Sequence, residues 1–457
     1  MPDFLLSRRG LLTAAAALPF AGLPLAVGHS ARADIFPAES LVLENGLTVV
    51  VTTNRRVPLV TQLLLYRVGA ADELPGKSGV AHFLEHLMFK GTRRHPTGVY
   101  SDAVAAVGGQ ENAFTGQDYT GYWQTVPKRS IETVMAFEAD RMLNLTLDEA
   151  EVLPEREVIL EERRSRIDNR PSAQLRAAQL ASLFRNHPYG IPIIGWEREM
   201  RGLTAEDALG FYDSWYGPQN AILILGGDLD LSEALPIVER TYGGLARRGR
   251  DSRRARPREP VSLTARRTEL TSPLAAEPQF SRVYLVPHRS ELGPGDPEAL
   301  QLLSMLLGGG NTSRLYRDLV LGRSLALAAG SYDRGEVLDY PTLSLYARPV
   351  PGVEIAVLER EIDAQIARFL EEGADATALD EAKDRLQAAA VLVRDDPKTA
   401  PRVIGTAMAV GDSLATIQSW PERVAAVTPE QVNALAHRVL QPRRSVTGIL
   451  HPERPAL

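Results

Sequence analysis

The chain has 457 residues, of which 44% are hydrophobic and 24% charged, a composition typical of a globular protein. A chain of this length suits two domains of about 200 residues each. The formal net charge of −6, with no large basic block, argues against a nucleic-acid partner, and the absence of cysteine excludes disulfides, thiolate zinc sites and a cysteine nucleophile.

Residues 1–33 have the features of an export signal. Arg8 and Arg9 precede an apolar run at 10–28, and Ala-Arg-Ala at 31–33 is a small-x-small cleavage site. The arginine pair predicts a twin-arginine signal and a periplasmic mature protein, and the alternative is an ordinary secretion signal that happens to carry two arginines. Because the run is rich in alanine and proline, we expect no stable membrane anchor.

The mature chain mixes strands and helices without regular alternation, which predicts an α+β fold. Asn-Gly between two β-rich runs at 41–54 indicates a hairpin. Further patterns predict a strand at 59–70, helices at 79–92 and 98–109, two strands at 110–126, helices at about 129–145, 150–168, 171–185 and 204–215, and a buried strand at 220–227.

The helix predicted at 79–92 is apolar apart from three residues that are costly to bury, His82, Glu85 and His86. Histidines four residues apart lie on one helix face, about 40° apart, and can bind one metal ion together. A carboxylate beside them can hold a water molecule on that metal. The alternative is a pair of core histidines satisfied by backbone carbonyls. A metal site also needs a third protein ligand from elsewhere in the chain.

An internal repeat divides the mature chain into two halves. Residues 203–227 align without a gap to 427–451, each with Thr-x-Glu, a helix, a proline and an apolar strand. The apolar helix also recurs at 298–310, without the His-x-x-Glu-His pattern. We therefore predict homologous domains at 34–245 and 260–457, joined by a linker at 246–259 whose many arginines are solvated.

Candidates for the third ligand lie in the Glu-rich helical segment at 154–171, which contains Glu155, Glu157, Glu161 and Glu162. Glu155 and Glu162 are seven residues apart and share a face. Composition does not separate the four, because a helix rich in glutamate and arginine is usually a solvated one.

Six motifs together resemble the insulinase/pitrilysin-type zinc metallopeptidases, the inverzincins, and in particular their short-chain branch near mitochondrial processing peptidase. They are HFLEHLMFKGT (82–92), GGQENAFTGQDYTGYW (108–123), EREVILEE (155–162), HPYG (187–190), WYGPQNAILILGGD (215–228) and NTSRLYRDL (311–319). The resemblance implies one zinc ion per chain, held by His82, His86 and Glu162, with Glu85 as general base and Glu155 supporting the site.

The same resemblance implies an architecture and a substrate. Each half is expected to be a mixed or antiparallel β-sheet covered by helices, and the chain to form half of a clamshell. The segment at 112–116 is similar to the edge strand to which an extended peptide adds, which makes Asn112, Ala113 and Phe114 candidate substrate contacts. A simple turn or strand-end role is the alternative for Asn112.

One feature of the family is missing from the second half. Active members carry an Arg and, seven residues later, a Tyr, where this chain has Val320 and Leu327. We therefore expect a heterodimer, in which a homologous partner without the zinc motif supplies the Arg/Tyr pair. Substitution by Arg317 or Arg323 after a small shift is the alternative. The competing functions are a non-catalytic core subunit of the same fold and a zinc-dependent binding protein.

Overall fold

The computed structural model describes residues 37–249, 254–394, 396 and 398–453, with side chains excepted at 392–394. The predicted signal at 1–33 lies outside this range. Eleven strands form two sheets in the described residues: β1 Glu39–Val42, β2 Thr48–Thr53, β3 Leu59–Tyr66, β4 Gln110–Thr115, β5 Thr120–Pro127, β6 Ala221–Gly227, β7 Arg266–Ser272, β8 Gln279–Leu285, β9 Ala326–Arg334, β10 Thr342–Pro349 and β11 Ser445–Pro452.

The described residues also form fifteen α-helices. They are α1 Val80–Leu87, α2 Val99–Ala106, α3 Ile131–Asn144, α4 Glu149–Arg163, α5 Pro171–Leu183, α6 Glu197–Met200, α7 Ala205–Trp215, α8 Leu231–Val238, α9 Asp296–Gly308, α10 Ile355–Glu372, α11 Ala376–Arg394, α12 Thr399–Ala409, α13 Leu414–Gln418, α14 Trp420–Ala426 and α15 Pro429–Val439. None of these helices is long and apolar enough to cross a lipid bilayer.

The two sheets share an arrangement of five strands, to which the first sheet adds β1, and this confirms the predicted α+β fold with repeated halves. The first runs β1-β2-β6-β3-β5-β4 and the second β7-β11-β8-β10-β9. In each sheet one pair is parallel, β2 with β6 and β11 with β7. The aligned segments take equivalent places: Thr204 caps α7 before β6, and Thr428 caps α15 before β11, each in a capping box.

Both faces of each sheet are covered, which explains the continuous apolar run of β6. Leu223 and Leu225 pack on the α1 side, whereas Ile222 and Ile224 between them pack against α12. Such two-sided burial removes the need for polar residues at alternate positions.

The covering helices are exchanged between the halves. Helix α12 from the second half packs on the first sheet, where Ile404 belongs to the cluster that contains Leu63 and Leu65. Helix α5 from the first half packs on the second sheet, where the side-chain oxygen of Gln179 accepts a hydrogen bond from Ser281 at 3.0 Å. The halves are therefore interlocked, and residues 35–457 form one compact unit.

The prediction that the arginines of 246–259 are solvated is wrong for two of them. The side chains of Arg254 and Arg256 are each only 5% exposed, and both pair with Asp72. Composition suggested a solvated linker because the carboxylates that bury these arginines lie elsewhere in the sequence. The domain boundaries themselves stay a prediction.

Candidate metal centre

Helix α1 is held at both its start and its buried face. The carboxylate of Glu73 accepts hydrogen bonds from the backbone N–H groups of Gly79 and Ala81, each at 2.9 Å, and so satisfies donors that the first helical turn leaves free. Phe83, Leu84 and their apolar neighbours are buried in the first core. This anchoring fixes the direction in which the polar residues of α1 point.

The structure brings His82, His86 and Glu162 together, and one ligand atom from each lies within 4.8 Å of the others. Oε2 of Glu162 is 3.5 Å from Nε2 of His82 and 3.4 Å from Nε2 of His86. Glu162 reaches the histidines from the last full turn of α4, which packs beside α1. Two imidazole nitrogens and one carboxylate oxygen are a donor set that zinc prefers.

Glu155 contacts one of these three residues but is not itself a candidate ligand. Its Oε1 is 2.8 Å from Nδ1 of His86, and its Oε2 is 2.7 Å from Nζ of Lys90. The hydrogen bond with His86, supported by Lys90, lowers the pKa of Glu155 to about 2. A carboxylate on Nδ1 fixes the ring so that Nε2 points toward Glu162.

The electrostatics of the two histidines differ because their surroundings differ. Burial, with the nearby His86, lowers the pKa of His82 to about 3. Burial would also lower the pKa of His86, but the hydrogen bond with Glu155 and the nearby carboxylate of Glu162 raise it to about 9. The two carboxylates therefore favour positive charge at the position between the rings.

A metal ion fits this position. Oε2 of Glu162, which faces Nε2 of both histidines, is buried and has no hydrogen-bond partner among the described residues. A buried carboxylate oxygen without a partner is costly, and a cation bound among the three residues would remove the cost for Glu162.

Glu85 sits on the same helix and is oriented from the edge strand of the first sheet. Its side chain is buried, and Oγ1 of Thr115 donates a hydrogen bond of 2.5 Å to its Oε2. Burial raises the pKa of Glu85, against the opposing effect of the Thr115 hydrogen bond. Both effects act on the oxygens that would exchange a proton.

The predicted substrate contacts lie on β4, which is the edge of its sheet. Asn112 is exposed, and its side-chain oxygen accepts from the backbone N–H of Ala113 at 2.8 Å. The ring of Phe114 packs against Tyr119 and Arg402 on the sheet face away from α1. The edge strand is therefore present, and its contact with a peptide stays a prediction.

Sequence reasoning missed three residues of the centre. Lys90 forms an ion pair with Glu155, and Thr115 donates a hydrogen bond to Glu85. A nitrogen of Arg166 lies 2.9 Å from Oε1 of Glu162. Lys90 and Arg166 each follow a predicted site residue by four positions on a helical path, a spacing that could have identified them. Thr115 had no such signal, because a strand brings it to α1.

This chain is similar in sequence to proteins named zinc proteases and similar in fold to solved structures of proteases. The zinc protease PqqE of Helicobacter pylori is 32% identical over 339 residues, which cover 72% of this chain and 74% of that protein. The crystal structure of a protease from Helicobacter pylori superposes with a TM-score of 0.84 at 28% identity, over 91% of this chain and 100% of that one.

A more distant structure contains a similar fold within a chain of about twice the length. The periplasmic protease PqqL of Escherichia coli matches with a TM-score of 0.78 at 20% identity, over 90% of this chain but 47% of that one. The present fold thus has the extent of one half of a clamshell, as the sequence predicted.

Two family profiles cover most of the described chain. The profile described as insulinase (peptidase family M16) matches residues 48–197, the part that contains α1 and α4. The profile described as the peptidase M16 inactive domain matches residues 202–386. With the geometry of the centre, these matches confirm the resemblance read from the motifs: the chain belongs to peptidase family M16, the insulinase family.

Proposed function

We propose that this chain is a zinc-dependent endopeptidase that cleaves unfolded peptides or small polypeptides. The observation that carries the proposal is the cluster of His82, His86 and Glu162, with ligand atoms within 4.8 Å, in which the two histidines share helix α1 with Glu85. A non-catalytic core subunit needs neither a complete ligand set nor an oriented general base.

Zinc bound by the three residues would make a water molecule more acidic and polarise the scissile carbonyl. Glu85 accepts the proton of the attacking water and returns it to the leaving amine. Because Thr115 already donates to Oε2 of Glu85, Oε1 is the oxygen left to take that proton. Glu155 is a positioning residue, since it touches His86 and Lys90.

The peptide would add to β4 as a further antiparallel or parallel strand. Main-chain hydrogen bonds would hold it next to α1, with Asn112, Ala113 and Phe114 as the adjoining residues. Thr115 at the end of β4 already contacts Glu85, so a strand added there passes the general base.

We further propose that a homologous partner subunit completes the site. Val320 and Leu327 stand where active relatives carry Arg and Tyr, and neither can donate a hydrogen bond to a carbonyl oxygen. Leu327 is 47% exposed on the edge strand β9, and Arg323 pairs with Glu361. The partner would supply the missing pair and close a chamber over the metal centre.

We also propose that the chain is exported to the periplasm through its twin-arginine signal. Lysines in place of Arg8 and Arg9 should leave precursor in the cytoplasm. Unchanged periplasmic recovery of that variant would indicate an ordinary secretion signal.

The decisive test separates zinc binding from proton transfer. Glu85→Gln should keep about one zinc per chain and lose about 10²–10⁴-fold in rate, because the amide cannot accept a proton. His82→Ala, His86→Ala and Glu162→Gln should weaken zinc binding, and Glu155→Gln should keep most zinc with an intermediate loss of activity. Full zinc retention by all three ligand variants, measured by elemental analysis, would refute the assignment.

Glu161→Gln is the matched control, because Glu161 neighbours Glu162 but its side chain is 68% exposed and pairs only with Arg164 in the described structure. It should change neither zinc content nor rate. Robust turnover of unfolded peptides by the isolated zinc-loaded chain would refute the heterodimer. Zinc binding without cleavage, even with a partner present, would favour the binding-protein alternative.

A further inference from the structure

The two faces of β4 lead to different surroundings. Thr115 faces α1, where it contacts Glu85, whereas its neighbour Phe114 faces α12, where the guanidinium of Arg402 lies 5.0 Å from the ring centroid. Side chains alternate along a strand. A peptide added beside β4 would therefore turn every second side chain toward the metal centre and the others toward α12.

The α12 side of this edge is basic. Arg402 is exposed, and Nζ of Lys398 lies 5.2 Å from the centroid of Trp123 while donating to the side-chain oxygen of Gln110. The ion pairs found among the described residues include neither Arg402 nor Lys398. Both cations thus remain available to a carboxylate of a bound peptide.

Two further arginines, Arg334 on β9 and Arg176 on α5, lie at the second sheet. Burial and Glu336 raise the pKa of Tyr119, next to β5, and both Arg402 and Arg334, the last residue of β9, oppose that rise. Burial lowers the pKa of Arg176 on α5, and Arg334 lowers it further; Arg176 donates a hydrogen bond of 3.4 Å to Oγ of Ser344. We call Arg176, Arg334, Lys398 and Arg402 the basic band.

The cations of the basic band are not held in direct ion pairs. In the described part of the chain, none of its four members forms an ion pair. The charged groups around them also include the carboxylates of Glu336, Asp118, Asp333 and Asp412 and the guanidinium of Arg289.

Aromatic rings lie beside the cations. Tyr332 on β9 is 38% exposed and Tyr346 on β10 is 43% exposed, with ring centroids 6.4 Å apart. Tyr332 is also within range of Arg176. Exposed rings next to unpaired cations offer both apolar contact for an extended chain and attraction for its carboxylates.

We propose that the basic band selects unfolded peptides that carry Asp or Glu side chains on the face turned away from the metal centre. This inference rests on the proposed function, because it takes addition to β4 as the binding mode. It names the substrate class: acidic extended segments rather than basic ones.

The test measures binding apart from cleavage. One unstructured labelled peptide is made in three versions, with Glu, Gln or Lys at alternate positions, and titrated by fluorescence anisotropy into the zinc-loaded Glu85→Gln chain. Exposed charge pairs contribute little each, so we expect the Glu peptide to bind about tenfold more tightly than the Gln peptide at low salt. The difference should shrink as salt is raised, because the pairs are screened.

Variants of Arg402 locate the effect. Arg402→Gln should reduce the preference about two- to fivefold, and Arg402→Lys should keep most of it because the charge remains. Arg360→Gln is the matched control, since Arg360 is an exposed arginine on α10, which packs with β8 and β10 in the second core. Loss of preference in the control equal to that in Arg402→Gln would overturn the assignment.

The remaining outcomes separate this inference from the proposed function. Equal binding of the three peptides, no binding of any, or tighter binding of a single-stranded oligonucleotide than of the Glu peptide would each overturn the inference. The same peptides are offered to the wild-type chain for cleavage. Because the heterodimer proposal expects little turnover by the isolated chain, only an acidic preference in binding without cleavage in the presence of the partner subunit would contradict the peptidase, and it would support the basic band as a binding surface. Cleavage without an acidic preference would support the peptidase and contradict the basic band.

Discussion

Arg256 connects the two halves through a buried ion-pair network, and its replacement by methionine should strongly destabilise the protein. Its guanidinium, 5% exposed, lies 2.8 Å from Asp72, 2.5 Å from Asp118 and 2.8 Å from Asp339. The first two carboxylates belong to the first half of the chain and the third to the loop after β9. Methionine fills similar space and leaves the three carboxylates without this counter-charge.

The size of the effect follows from burial. Breaking a buried ion pair by removing one partner costs about 3–5 kcal/mol, because the remaining charge is left uncompensated. Arg258, two residues later, provides the contrast: its pair with Glu291 spans 3.2 Å, and the two side chains are 57% and 59% exposed. An exposed pair of this kind contributes at most about 1 kcal/mol.

Urea unfolding at neutral pH measures both variants. We expect Arg256→Met to lower the free energy of unfolding by about 3–5 kcal/mol and Arg258→Met by less than about 1 kcal/mol. If Arg256→Met does not fold, Arg256→Lys should show an intermediate loss, since one ammonium group cannot replace a guanidinium that reaches three carboxylates. Equal, small effects of Arg256→Met and Arg258→Met would refute the reasoning.

Three further outcomes are expected. Thr115→Val should keep zinc content and lower the rate, because Glu85 loses the hydrogen bond that orients it; an unchanged rate would show that Thr115 does not position Glu85. Gly308→Ala should lower the free energy of unfolding, measured in urea, by about 1–3 kcal/mol or more, since a Cβ there would lie 2.0 Å from the backbone nitrogen of Ser331. Gly352→Ala is the comparison, because Gly352 is exposed with no described atom within 4 Å of an added Cβ but has a positive φ of 89°, so that it reports backbone strain without the steric clash. Asp339→Asn should lower stability at neutral pH: burial raises the pKa of Asp339, but hydrogen bonds with His187 and Arg256 outweigh it and hold that pKa well below the usual value. A carboxyl group whose pKa is lowered by folding stabilises the protein at pH values above its pKa in the unfolded chain, about 4, and this stabilisation is lost as the pH falls below that value. The difference from wild type, followed by urea unfolding at several pH values, should therefore narrow in acid, and a difference that widens there would contradict the sign.

The helix with His82, Glu85 and His86 could be predicted from sequence because its signal is local. An apolar helix with polar residues on one face needs no knowledge of distant contacts. The hairpin at Asn45-Gly46 is equally local, and Gly46 has a φ of +90°, as such a turn requires. Both predictions depend only on residues within a few positions of one another.

The choice among the glutamates of α4 required the family resemblance, although the sequence contains a signal for it. Val152 and Ile159, seven residues apart, are buried and set the inward face of α4. Glu155 and Glu162 each follow one of them by three positions, and their side chains are 16% and 18% exposed, against 68% for Glu161. The positions of Val152 and Ile159 could thus have separated Glu155 and Glu162 from the other two glutamates.

The burial of Arg254 and Arg256 could not be read from local composition. A segment with arginine, glycine, serine and proline is usually solvated, and the rule fails here because the partner carboxylates are distant in sequence. Asp72 lies 184 positions before Arg256, and Asp339 lies 83 positions after it. Only the folded arrangement of the two halves brings these charges together.

The path of the chain through the metal centre gives the exchange of helices a functional consequence. Glu162 lies near the end of α4, the helical path continues through a π-turn at Arg164–Asp168, and α5 then begins at Pro171. Helix α5 packs on the second sheet through Gln179, whereas His82 and His86 belong to α1 on the first sheet. The three candidate ligands therefore lie on helices of the first core, but within a few residues of Glu162 the chain passes to a helix on the second sheet. Because few residues separate Glu162 from α5, a shift of one sheet against the other would displace Glu162 from the histidines. The buried network around Arg256 opposes that shift, so the contacts that join the halves also hold the geometry of the metal centre.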